Sequence, residues 1–261
     1  MKLGVVTYVP PPGVLNSDAF YQNLQKFPAK NPLYLMSDSA DRNPSRLIKN
    51  PELIGKRPHW GLNNLLWFEA LSLAKDVGLS YMIYIESDSR VGRAAWDAVM
   101  YDEFFKRYPD GICCAGTPVA WDINAGGREF AMCVIDEAHR YQTASGLPAS
   151  FYSSKDPHDK SGGCYYPNGS LMIVEVAAML KIFEGFWIDC ANYAKRLTAF
   201  DMAVGKFLWN YHGKNAWKHV GWLACSYSGF GNAVLSEKER CDLLVSGSKV
   251  AAHQFKSDWT P

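Results

Sequence analysis

Two carboxylates stand two positions apart in Ile83-Tyr84-Ile85-Glu86-Ser87-Asp88-Ser89-Arg90, directly after an apolar run. Acidic groups at the end of a buried strand are costly unless something neutralises them. A hard divalent cation that also grips phosphate oxygens is one natural partner. Arg90, as a simple ion pair, is another. Open parallel sheets bind ligands beyond the carboxyl ends of their strands, so the pair falls where a crevice is expected.

Other signatures are missing. The sequence has no GxxxxGK[ST] phosphate loop, no GxGxxG after its first strand, no GxSxG nucleophile elbow and no HExxH zinc motif. The first loop is rich in proline instead. An ordinary ATPase, a dinucleotide oxidoreductase and an α/β hydrolase are therefore disfavoured. With no CxxC among the seven cysteines, a structural zinc site is also disfavoured, and reduced, buried thiols are expected.

The elements that must position these acids follow from periodicity. Lys2 to Tyr8 reads as a buried strand ended by Pro10, Pro11, Pro12 and Gly13. A helix capped by Asn16 or Ser17 runs to about Phe27, and Leu33 to Met36 forms a second strand. Residues 41–58 read as a loop or short helix. Leu62 to Val77 is the strongest helix, with Gly78 as its stop. Tyr81 to Ile85 is a continuous apolar strand of the kind covered on both faces. A helix over Ala94 to Arg107 and a strand over Ile112 to Ala115 follow. Residues 143–163 lack a period and read as a long loop. Leu171 to Val174 returns as a strand, Val176 to Phe186 as a helix and Asp201 to Trp209 as another. Alternating strands and helices specify an α/β fold, a mostly parallel central sheet with helices on both faces.

Bulk properties agree. At 261 residues, the chain fits one domain or two small ones, and the absence of repeats and linkers favours one. Lys plus Arg is 27 and Asp plus Glu 26, which argues against binding nucleic acid through phosphates alone. No apolar stretch approaches the roughly 18 residues of a membrane helix, and no secretion signal is visible, so a cytoplasmic protein is expected. Aromatic residues reach 14%, enough to stack sugars or bases as well as to fill a core, although Trp60, Trp67, Trp187 and Trp259 read as packing.

With these residues in order, the layout resembles a GT-A fold glycosyltransferase, the class that uses a nucleotide-sugar donor and a DxD metal motif. Val5 to Tyr8, with Thr7 and Tyr8 at its end, resembles the first strand, which meets the nucleobase. Leu35-Met36-Ser37-Asp38 resembles the second strand, where an Asp often reads the base; a turn cap is the other reading of Asp38. Lys56 and Arg57 precede the Leu62 helix, where donor contacts are common, and Glu86-Ser87-Asp88 stands for DxD with Glu replacing the first Asp. Tyr166-Pro167-Asn168-Gly169-Ser170-Leu171-Met172 resembles the FNSG-like segment of glycogenin-type enzymes, before the strand lining the acceptor pocket. Phe200-Asp201 resembles the acidic position that faces the acceptor. His253-Gln254-Phe255-Lys256-Ser257-Asp258-Trp259 resembles the C-terminal HxxGxxKPW segment, with a shorter His-to-Lys spacing and without its Gly and Pro.

The resemblance implies a Rossmann-like donor half over about 1–116 and an acceptor half over about 117–261. It implies a UDP-sugar donor bound by Thr7, Tyr8, Asp38, Arg57, Glu86 and Lys256, and Mn²⁺ or Mg²⁺ held by Asp88 and His253. Asn168 and Gly169 would touch the acceptor. Asp201 would be the catalytic base if configuration inverts, or would orient substrate if it is retained; a plain helix N-terminal charge is the third reading. The acceptor stays open between a glycan, a lipid-linked sugar, a protein and a modified nucleic-acid base. The alternatives are a non-catalytic binder of carbohydrate or nucleic acid and a sugar nucleotidyltransferase. The latter normally carries a Gly-rich, basic first loop that Tyr8 to Gly13 lacks.

Overall fold

A computed structural model describes residues 1–14, 17–49, 59–107, 109, 111, 114–121, 164–180, 217–219, 224–225, 235–253 and 255. Strand β1 (Leu3–Tyr8) leads to helix α1 (Ser17–Lys26), strand β2 (Leu33–Ser37), a 3₁₀ turn at Ala40–Arg42 and the short β3 (Arg46–Leu47). Helix α2 (His59–Asp76), strands β4 (Tyr81–Ile85) and β5 (Arg90–Val91), and helix α3 (Trp96–Arg107) follow. Strands β6 (Cys114–Trp121), β7 (Cys164–Glu175), β8 (Trp217–His219) and β9 (Ala224–Cys225) come next, then helix α4 (Glu237–Val245) and strand β10 (Ala251–Ala252).

Among the described residues the main sheet has seven strands in the order β3-β2-β1-β4-β7-β6-β8. The pairings β1–β2, β1–β4, β2–β3 and β6–β8 are parallel. Only β7 runs against its neighbours, β4 and β6. The fold is α/β with a mostly parallel sheet, as expected from the alternation of elements.

Side chains leave each strand on alternate faces, and this splits the core in two. Val6, Tyr8, Met82, Tyr84, Met172 and Val174 meet α2 through Leu66, Trp67, Ala70 and Ala74. Val5, Ile83, Ile85, Leu171 and Ile173 meet α1 and α3 through Phe20, Leu24, Trp96, Met100 and Phe104. Strand β4 is buried at all five positions because both faces are covered, which explains its unbroken apolar run. Helix α2 ends as its sequence demands. Gly78 takes φ 74°, and the amides of Gly78 and Leu79 donate to the carbonyls of Lys75 and Ala74, at 2.9 and 2.8 Å.

The structure redraws several boundaries. Helix α2 begins at His59 rather than Leu62, and α3 at Trp96 rather than Ala94. Residues 41–58, read as loop or short helix, contain β3, a two-residue strand too short to carry a period. The strand expected at 112–115 runs to Trp121, and that expected at 171–174 starts at Cys164. Asn168 and Gly169 therefore lie inside a strand, not before one. The pairing of β6 with β7 slips between Gly116 and Thr117, which face Met172 and Asn168. Residues 169–171 form the excess, and this bulge carries the turn-like composition through a continuous strand. Of the helix expected at 176–186, residues 176–180 are helical. The helix at 201–209 and the loop at 143–163 lie outside the described residues.

Among the described residues there is also a second, three-stranded sheet, β5-β10-β9, which the sequence does not predict. Strand β10 pairs antiparallel with β5, Ala252 facing Arg90, and parallel with β9. Asn23 of α1 fixes β5 from the other side. Its amide donates to the Val91 carbonyl at 3.0 Å, and its carbonyl oxygen accepts from the Val91 amide at 2.8 Å.

Candidate active site and metal centre

Strands β1, β2 and β4 are parallel and in register, Tyr8 beside Met36 and Thr7 beside Ile85. Their carboxyl ends therefore open on one edge. The chain leaves β1 toward β2 on one side, while β4 lies on the other, which makes this edge the topological switch point of the sheet.

Two groups of side chains sit there. At the end of β2, half-buried Asp38 accepts a hydrogen bond from the Tyr8 hydroxyl at 3.0 Å. Thr7 is fully buried, and its hydroxyl donates to the Ile85 carbonyl at 2.5 Å, tying β1 to β4. Arg42 holds the proline-rich loop after β1. Its guanidinium donates to the Pro10 carbonyl at 3.2 Å and to Asp18 at 2.5 Å.

The second group joins residues far apart in sequence. Glu86 and Asp88 follow β4, and His253 follows β10. Ligating atoms of all three lie within 4.8 Å of one another. His253 Nε2 is 2.9 Å from Asp88 Oδ1 and 3.4 Å from Glu86 Oε2. The His253 side chain is 6% exposed, Glu86 21% and Asp88 39%, so the cluster is closed at the imidazole and open at the carboxylates.

The cluster is built for a positive charge. Burial opposes ionisation of Asp88, yet His253 and then Arg90 hold its carboxyl below the usual range. Burial pushes the His253 imidazole down, but Asp88 and Glu86 more than reverse this, and it rises from 6.5 to about 9. Tyr84, in β4, is almost fully buried. Burial, together with the charge of Glu86, raises its hydroxyl well above the ordinary value, with Tyr8 and Asp88 adding to the effect. A proton on His253 thus answers the two carboxylates, and a divalent cation would answer the same demand while releasing that proton. Hydrogen-bond geometry supports this fit. Among the described residues, the buried Asp88 Oδ1 has His253 Nε2 2.9 Å away as an ion-pair partner but no hydrogen bond of good geometry. Two carboxylates and one imidazole suit Mn²⁺, and Mg²⁺ less well, since Mg²⁺ prefers oxygen alone.

Of the residues singled out in the sequence, Glu86, Asp88 and His253 come together, while Tyr8 and Asp38 pair beside them. Glu86, expected at the donor, stands with the two expected metal ligands. Arg57, Asp201 and Lys256 lie outside the described residues, and Asn168 and Gly169 are placed by their backbone in β7. Sequence reasoning missed the surroundings of His253: β5, β9, α4 and buried Arg240. One signal was present, the Ser236 and Glu239 pair that opens α4.

An α/β domain with an acid–histidine cluster at its switch point is the class that fold and site define. No protein-family model matches the chain, and no curated protein matches it. Among solved structures it is similar to mouse xyloside xylosyltransferase 1 in its apo form, with 12% identity, a TM-score of 0.48 and full coverage of both chains. It is also similar to a glycosyltransferase involved in glycosylation of the major capsid of PBCV-1, with 9% identity and a TM-score of 0.48, covering 98% of this chain and 94% of that one. Both neighbours are glycosyltransferases. At this TM-score the likeness is loose, and the chemistry has to come from the side chains of the cluster.

Proposed function

We propose that the protein is a metal-dependent glycosyltransferase that moves a sugar from a nucleotide-sugar donor, with UDP-sugars the first to test, onto a hydroxyl acceptor. The observation that carries this reading is the Glu86–Asp88–His253 cluster at the carboxyl edge of a mostly parallel sheet. Glycosyl transfer breaks the bond between the anomeric carbon and a diphosphate, and negative charge grows on the leaving phosphate. Glu86, Asp88 and His253 would hold Mn²⁺ or Mg²⁺, which supplies Lewis-acid stabilisation of that charge.

The chain's own residues have distinct parts. Tyr8 and Asp38, hydrogen-bonded at the end of β1 and β2, offer the base and ribose a polar edge. The more exposed carboxylates, Glu86 and Asp88, would meet the diphosphate through the metal, with the buried imidazole of His253 behind them. Arg57 and Lys256 are assigned to the phosphates, and Asn168 and Gly169 to the acceptor. If configuration inverts, the acceptor oxygen bonds to the anomeric carbon, the sugar–phosphate bond breaks, and the acceptor proton passes to the Asp201 carboxylate. The whole chain then serves as one catalytic domain, donor half first.

The test is titration of the full chain with Mn²⁺ and UDP, followed by turnover of a panel of nucleotide-sugars. Mn²⁺-dependent UDP binding, lost in Asp88→Ala, is expected. Failure to bind either, or binding that Asp88→Ala leaves unchanged, overturns the reading. A nucleotide-sugar that is bound with metal but left intact through long incubation would favour a non-catalytic binder.

A further inference from the structure

His253 is the member of the cluster that the main sheet does not supply. It follows a strand of only two residues, Ala251–Ala252, and so needs support from outside its own strand. Before it, Ala251 and Ala252 pair with Val91 and Arg90. After it, the Phe255 amide donates to the Asp88 carbonyl at 2.8 Å. Ala251, Ala252 and Phe255 are therefore all tied to the segment Asp88–Val91.

The Phe255 ring is fully buried in a small cluster with Leu244 and Ala252. Two guanidinium groups lie over it, Arg90 at 5.6 Å and Arg240 at 5.4 Å from the ring centre. Both arginines are buried, at 0% and 4% exposure. Arginine is seldom buried unless its charge is met, and a cation over an aromatic face gains most when water is excluded. Arg90 also donates to the Ser89 carbonyl at 2.8 Å, and Arg240 donates to the Leu235 carbonyl at the start of α4. Arg90 leads to the acids and Arg240 leads to α4, and the ring joins them.

We infer that Phe255, gripped by Arg90 and Arg240, is a clasp through which α4 positions His253 against Glu86 and Asp88. Arg240 and Phe255 are positioning residues, acting through His253 and touching no substrate. The consequence for metal rests on the function proposed above. A plain apolar core at this point would need only bulk. The clasp needs an aromatic face and a cation, so Phe255→Leu keeps burial and removes the grip, while Arg240→Lys keeps the cation.

The experiment uses the full chain as wild type, Arg240→Gln, Arg240→Lys and Phe255→Leu. Two readouts are taken: hydrogen exchange of metal-free protein, and Mn²⁺ affinity by calorimetry. Arg240→Gln and Phe255→Leu are expected to speed exchange across residues 251–255 by about tenfold or more, while β1 and β4 stay protected. Both should weaken Mn²⁺ binding by roughly 10- to 100-fold, as loss of a supporting shell does, and Arg240→Lys should restore part of each. Unchanged exchange in both Arg240→Gln and Phe255→Leu overturns the clasp. So does wild-type Mn²⁺ affinity in those variants. If exchange rises as expected but the wild type takes up no Mn²⁺, the clasp stands and the metal reading falls.

Discussion

Glu86 and Asp88 follow a five-residue strand buried along its whole length and paired on both sides, whereas His253 follows a two-residue strand in a sheet of three. The first support is a product of bulk burial: α2 covers one face of β4, and α1 and α3 cover the other. The second is assembled from single contacts, with Asn23 on β5, an amide on the Asp88 carbonyl, and two arginines on one ring. The main sheet can thus be weakened through volume, and the His253 support through individual polar or aromatic groups. The two should fail separately.

The largest effect should come from the main sheet. Trp67 is 1% exposed and its ring sits 4.3 Å from that of Tyr84, on the strand that carries the acids. Trp67→Ala should cost about 3–5 kcal/mol in urea denaturation, because it leaves a large cavity. A loss well under roughly 1.5 kcal/mol would mean that α2 collapses into the gap and that bulk burial is not what fixes β4.

Asp88→Asn should do the reverse. It keeps the shape of the side chain and removes the charge facing His253, so far-ultraviolet circular dichroism should be unchanged. Mn²⁺ affinity should fall by on the order of 100-fold, at least as much as loss of an outer-shell partner. Equal affinity in wild type and variant would place the metal elsewhere.

Acidity separates the supports in a third way. His253 is raised from 6.5 to about 9, so its ion pair stabilises the metal-free protein fully below about pH 6.5, and that contribution is lost as pH rises through 9. Asp88 is lowered, so its share is present above its ordinary value of 3.8 and is lost as pH falls. Thermal melting without metal should therefore decline between pH 6.5 and 9. If His253 ligates Mn²⁺, binding displaces the imidazole proton, so affinity should rise about tenfold per pH unit from 7 to 9 and then level off. A flat affinity profile would show that His253 is not a ligand.

The same contrast decides what could be read in the sequence. The apolar run Tyr81 to Ile85 and the spacing in α2 carry their periods over enough residues to be recognised, and Gly78 marks a stop that only a left-handed residue can make. Strands β5, β9 and β10 have two residues each, and two residues have no period. Their existence depends on tertiary pairing. Glu86 and Asp88 were legible because two acids after a buried strand conflict with burial. His253 was legible only through the resemblance of its segment, since a lone histidine does not announce its partners. The bulge at 169–171 hid a strand behind turn-like residues.

The smallest predicted effect is the most direct test of whether the two supports are joined. Ser236 accepts a hydrogen bond from the Glu239 amide, and the Glu239 carboxylate accepts from the Ser236 amide, so both ends of the capping box at the start of α4 are closed. Ser236→Ala removes one half of it and should cost about 1 kcal/mol, within a helix that carries none of the main core. If α4 opens before the main sheet, urea denaturation of the whole chain should barely register the change. Exchange within 237–245 should speed up, and if Arg240 passes the disturbance to Phe255, residues 251–255 should follow by a similar factor. A loosened α4 beside an unaltered 251–255 segment would show that the histidine is held by β5 and β9 alone, and that the helix is packing only.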